Sequence, residues 1–80
     1  MIRVRIVTPQ GTLYACDNAL GVFLPGTLGP FEVLKGHAPI ISSLEAGEVR
    51  CLLPQETKAV RIASGFAEVK DDTVTVCAEV

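Results

Sequence analysis

His37 is the only histidine in this 80-residue chain, and it stands in the run Lys35-Gly36-His37-Ala38-Pro39. Beside a serine or one of the three cysteines, Cys16, Cys51 and Cys77, an imidazole could act as the base of a nucleophilic pair. Folding can bring distant residues together, so spacing alone does not decide such a pairing. No G-x-S-x-G elbow is present, however. A histidine between a glycine and an Ala-Pro pair most simply bonds to a backbone group and holds a turn. The cysteines are odd in number and widely separated, with no C-x-x-C pair, which fits neither a disulfide framework nor paired zinc spacing. They read as free, buried thiols packing as small apolar side chains and slow to react, with Cys51 placed inward beside Val49. One histidine and scattered carboxylates make no metal site. Asp71-Asp72 reads as a turn, and Glu45 and Glu48 as surface charge. A phosphate loop presents successive N–H groups, then a lysine and a helix N-terminus. In Gly26-Thr27-Leu28-Gly29-Pro30-Phe31, Pro30 removes an N–H, no G-K-[S/T] follows, and the segment runs into a strand pattern. The chain is therefore expected to be no enzyme, with no cofactor or metal of its own.

The elements around these residues repeat with a period of two. Ile2, Val4 and Ile6 share one face of "IRVRIV" while Arg3 and Arg5 take the other. "TLYAC" and "ALGVFL" read as short strands separated by Asp17-Asn18, and "FEVL" and "IISSL" as two more. "EVRCLL" turns Val49 and Cys51 inward. "KAVRIA" does the same with Val60 and Ile62, with Lys58 expected opposite. "FAEVKDDTVTVCA" has the pattern of a hairpin with Val69, Val74 and Val76 on one side. No long stretch carries a helical apolar stripe. The pattern predicts an all-β fold, a small two-sheet β-sandwich or flattened barrel of about eight to ten short strands, in one domain spanning residues 1–80.

Composition narrows the function class. Formal net charge is −2 with no basic cluster and only four aromatic residues, which speaks against nucleic acid as a partner. No apolar run approaches the roughly 20 residues that span a bilayer, and "MIRVRIV" has no signal core. The chain is expected to be soluble and to stay in a reducing compartment. Apolar residues make up 49% of it. A domain this small buries only about 60–65% of the surface its unfolded chain exposes, so that apolar content reads either as a well-filled core or as an area covered by a partner protein. Pro25, Pro30 and Pro39, with Gly26, Gly29, Gly36 and Gly47, stiffen and shape the loops of residues 24–47, and Leu28, Phe31, Ile40 and Ile41 flank them. Stiff loops lose little entropy on docking, so these read as docking loops.

The residues in that stretch form the pattern LPG-x-x-G-x-F-x-V-L-x-G-H-A-P-I-I-S-x-L-x-x-G-x-V-R. With the opening IVTP-x-G-x-L and the closing SGFAEVKDDTVTVCAE, it resembles the epsilon subunits of F-type ATP synthases over nearly the whole chain. The resemblance implies a ten-stranded β-sandwich on the central stalk. That sandwich would bind the gamma subunit on one side and touch the membrane c-ring at one end, coupling proton flow to ATP synthesis. On this basis Thr27, Leu28, Gly29, Pro30 and Phe31 are expected at the c-ring, and Gly36, His37, Ala38, Pro39, Ile40 and Ile41 toward gamma. The implied location is the cytoplasmic face of a bacterial inner membrane, peripheral and held there only through the complex. Glu32 replaces a usual glycine, Lys35 a frequent proline, and Ser64 one of two adjacent glycines, so the loop geometry departs from the family pattern. Family members commonly continue into a C-terminal helical hairpin, which is not expected in a chain ending at Val80. The alternative is a free-standing β-sandwich protein-binding module. A small thiol- or His-dependent enzyme is the weakest third.

Overall fold

Alternation in Ile2-Arg3-Val4-Arg5-Ile6 gives a strand with one dry face and one wet face, and the same period recurs to the end of the chain. A computed structural model describes all of Met1–Val80 and contains nine strands and no helix. They are β1 (Ile2–Thr8), β2 (Gly11–Ala19), β3 (Gly21–Leu24), β4 (Phe31–Leu34), β5 (Ile40–Leu44), β6 (Gly47–Leu52), β7 (Thr57–Ile62), β8 (Ser64–Lys70) and β9 (Thr73–Glu79). A five-stranded sheet in the order β2-β1-β9-β8-β5 faces a four-stranded sheet in the order β4-β3-β6-β7. Only the β1–β9 pair is parallel. The architecture is the sandwich rather than the flattened barrel. Nine strands fall within the expected range and are one fewer than the resemblance implies; a further single pairing is the isolated bridge between Gly26 and Leu44.

The layers are held by a core of 16 buried residues drawn from both sheets, all of them apolar or cysteine. Ile2, Val4 and Ile6 meet Val74 and Val76 of β9, Ala67 and Val69 of β8, and Val22, Val49 and Cys51 of the other sheet. No polar side chain is buried, so no buried hydrogen-bond network has to be satisfied. The β8–β9 hairpin turns through Asp71 and Asp72, at φ 51 and 55. These left-handed values suit a two-residue hairpin turn, and aspartate is among the few non-glycine residues that adopt them readily.

Three sequence expectations are corrected by the register. The strand expected to break at Asp17-Asn18 does not: β2 runs on to Ala19, because a bulge between the Ile2–Ala19 and Val4–Cys16 pairs takes up the extra residue. Lys58 does not oppose Val60 and Ile62 but shares their face, since these residues pair in turn with Cys51, Val49 and Gly47. Its ammonium stays in water because it lies near the end of the strand. Nor are all three thiols buried: Cys51 is, Cys16 is half-buried, and Cys77 is exposed on the outer face of β9. The pairing of Cys77 with Phe66 and Val7 puts it out of phase with Val76 and Ala78, which point inward.

Candidate docking loops

Strand β4 separates two loops by four residues, so they lie at opposite ends of the sandwich. Loop 25–30 sits where β5 finishes, and loop 35–39 where β1 and β9 start. The structure therefore does not gather the candidate residues into one patch.

Loop 25–30 is braced from within and from the side. Gly29 donates its N–H to the Gly26 carbonyl at 3.0 Å, and Gly26 is buried. A side chain at Gly26 would meet the Gly29 carbonyl at 2.6 Å and the Phe31 ring at 2.9 Å, so only glycine lets the loop close. Sideways, the Thr27 N–H donates to the Ser43 carbonyl at 3.1 Å, the Glu45 N–H to the Pro25 carbonyl at 2.9 Å, and the Thr27 and Ser43 hydroxyls lie 2.6 Å apart. The tip, Leu28, has no cover at all, and Thr27, Gly29 and Pro30 are exposed beside it. Phe31 differs from the rest of its set: it is half-buried against the core and backs the loop instead of standing free.

Loop 35–39 is held by a residue that sequence reasoning treated only as a turn former. The Asp72 carboxylate accepts the Gly36 N–H at 2.7 Å, while the Asp72 carbonyl accepts the Arg3 N–H at 2.9 Å. Gly36 takes φ +82, and the His37 N–H donates to the Leu34 carbonyl at 3.1 Å. The expected turn-holding role of His37 matches its contacts: its ring Nδ1 donates to the Ala38 carbonyl at 2.7 Å. Ala38 and Pro39 are exposed. Ile40 and Ile41 divide between faces. Ile40 points inward opposite Val69, whereas Ile41, opposite Glu68, is 77% exposed.

Sequence reasoning also missed an outward row across the larger sheet, where Ser43, Phe66, Cys77 and Val7 stand in register. Phe66 is 62% exposed and lines a groove of about 680 Å³ with Val7 and Cys77. Its signal was present, since burial of Ala67 and Val69 turns Phe66 outward by alternation. The buried thiol, Cys51, carries little reactivity. Burial, with Cys16 nearby, pushes the Cys51 thiol from 9.0 up to about 11, and the thiolate is the nucleophile. Burial, with Cys16 nearby, likewise pushes the Tyr14 phenol from 10.0 up to about 12.

The sequence profile of ATP synthase, Delta/Epsilon chain, beta-sandwich domain, matches residues 1–80. The chain belongs to that family. Its delta/epsilon-chain relatives include an ATP synthase epsilon chain from Campylobacter lari, 45% identical over 80 residues and covering 99% of this chain. Others are the epsilon chains of Koribacter versatilis, 46% identical over 75 residues, and Synechococcus elongatus, 39% identical over 75 residues, each covering 94% of this chain. The chain spans 61%, 52% and 54% of the length of these relatives, respectively. The fold recurs in a chain of the central stalk/c-ring structure of Tetrahymena thermophila mitochondrial ATP synthase. That match has a TM-score of 0.83 and 14% identity, and covers 99% of this chain and 63% of that one. It recurs again in a chain of the Euglena gracilis mitochondrial ATP synthase OSCP/F1/c-ring structure, with a TM-score of 0.86 and 19% identity, covering 96% of this chain and 49% of that one.

Proposed function

We propose that residues 1–80 form one epsilon-type β-sandwich domain, a non-catalytic part of the central stalk of a proton-translocating F-type ATP synthase. It links the gamma subunit to the membrane c-ring and couples proton flow to ATP synthesis. In this reading the domain is peripheral to a bacterial inner membrane, on its cytoplasmic face, and is held there through the complex alone. The observation that carries it is the pair of separately braced loops at opposite ends of a family-type sandwich, each presenting apolar surface to solvent. Thr27, Leu28, Gly29 and Pro30, backed by Phe31, meet the c-ring. Gly36 to Pro39, with Ile40 behind and Ile41 in front, meet gamma.

The two contacts are separable by mutation. Burying a leucine or isoleucine side chain contributes about 1.5–3 kcal/mol, so a charge placed there costs about tenfold or more in affinity. Leu28→Asp weakens proton-driven coupling in reconstituted membranes while gamma binding in a pull-down survives. Ile41→Lys does the reverse. Lysine is the better probe at that position because Glu68 stands directly opposite and an added aspartate would repel it. Equal loss of gamma binding in both folded variants would defeat the two-ended assignment. If neither variant changed binding or coupling, the chain would be a free-standing binding module.

A further inference from the structure

Loop 25–30 is continuous in sequence with β3 and β4, both in the four-stranded sheet, yet its sideways bonds run to the other sheet. Gly26 bridges Leu44, Thr27 N–H bonds to the Ser43 carbonyl, Glu45 N–H bonds to the Pro25 carbonyl, and the Thr27 and Ser43 hydroxyls meet at 2.6 Å. β5 is the edge strand of the five-stranded sheet, so the loop occupies hydrogen-bonding positions that the edge leaves free. Within itself the loop is held by the Gly29–Gly26 bond and by the fixed φ of Pro25 and Pro30. Its tip packs against nothing, and Gly29 at φ +129 and Gly26 are among its six residues. The hydroxyl pair is exposed and contributes nothing to the core.

We propose that Ser43 is a positioning residue: its hydroxyl latches Thr27, so that the Leu28 tip and the Ile40–Ile41 end of β5 move as one body. This rests on reading Leu28 as the ring contact. A load applied at Leu28 then enters β5 directly and crosses to Ile41 along a single strand. Without the latch that path rests on the Thr27 and Glu45 backbone bonds alone, beside the longer route through β4, an edge strand of four residues. Water competes for an exposed hydroxyl pair, so its loss changes local opening far more than global stability.

The test uses Ser43→Ala, which leaves the surface of the loop unaltered, with Ser43→Thr as the conservative rescue. In the free chain, Ser43→Ala speeds hydrogen exchange at the Thr27 and Glu45 amides by about tenfold, with the thermal midpoint nearly unchanged. In the reconstituted synthase it lowers proton-driven coupling about two- to fivefold with gamma binding intact, an effect of the size expected from losing one hydrogen bond. Ser43→Thr restores both readouts. Unchanged exchange, or faster exchange with unchanged coupling while Leu28→Asp uncouples, overturns the latch and leaves the ring contact standing. If Leu28→Asp itself fails to uncouple, the ring-contact reading falls and the positioning role of Ser43 falls with it.

Discussion

Single side chains here differ mainly in how their phase on a strand meets the core. Cys77 is expected to alkylate first in the native chain, Cys16 more slowly, and Cys51 only on unfolding; mass spectrometry over time checks the order. Cys51 and Tyr14 also give a pH dependence with a definite sign. Each group holds its proton more tightly folded than unfolded, between 9.0 and about 11 for the thiol and 10.0 and about 12 for the phenol. The unfolded chain thus loses protons first, so the contribution of these two groups is fully present below about pH 9 and falls as pH rises above it. Denaturant titrations in this range should show a decline on the order of 2–3 kcal/mol for the buried thiol, and Cys51→Ala should flatten that part of it. Gly65 is a steric case. A Cβ there would run into the Cys77 carbonyl oxygen, where β8 and β9 pair. Gly65→Ala forces those strands apart, and the thermal midpoint should fall by about 5–15 °C. Nothing in the run Ser64-Gly65-Phe66 announces this contact, because the clashing oxygen belongs to a residue 12 positions away.

At the level of elements, hairpins are legible and the supports between them are not. Alternation in Val74-Thr75-Val76 and the polar pair Asp71-Asp72 identify the β8–β9 hairpin from local pattern alone. That the same Asp72 carboxylate holds Gly36 depends on where β4 ends relative to β9, a matter of long-range packing. Asp72→Gly isolates this support, since glycine adopts φ 55 without strain and only the carboxylate is lost. The Gly36 amide should exchange faster, with a global cost of about 1 kcal/mol or less. Asp71→Gly, at φ 51 in the same turn, should leave Gly36 unaffected. Equal effects of the two changes would mean that the turn, and not the carboxylate, holds the loop.

For the whole molecule, the balance of faces limits what it can bind. The groove beside Phe66 is lined by Val7, Pro9 and Cys77 with one carboxylate, Glu79, and no lysine or arginine. A triphosphate needs cationic groups or a run of backbone N–H donors, neither of which the groove provides. Calorimetry with ATP should therefore show no micromolar binding that depends on this groove, and a saturable heat abolished by Phe66→Glu would contradict this account of it. The ion pairs present are surface pairs, Arg3 and Arg5 with Asp17 at 3.4 and 3.1 Å and Arg50 with Glu48 at 3.2 Å. Such pairs contribute about 0–1 kcal/mol each, so moderate salt should shift the thermal midpoint little.

The all-β class, the inward phase of Ile2, Val4, Ile6, Val49, Cys51, Val69, Val74 and Val76, and membership of the family were determined by sequence alone. Period-two alternation is a local property, and the LPG…GHAP pattern is dense enough to stand without coordinates. Cys77 faces out by the same alternation that turns Val74 and Val76 in. Tertiary structure alone decided where the two ends of the sandwich lie and that Ile41 rather than Ile40 is the exposed isoleucine. It also decided which side chains brace the loops. The Thr27–Ser43 and Gly36–Asp72 contacts join residues 16 and 36 positions apart. The physical reason is that alternation says two faces of a strand differ, whereas contact between separate strands follows from register and layer packing, which no short window of the chain contains.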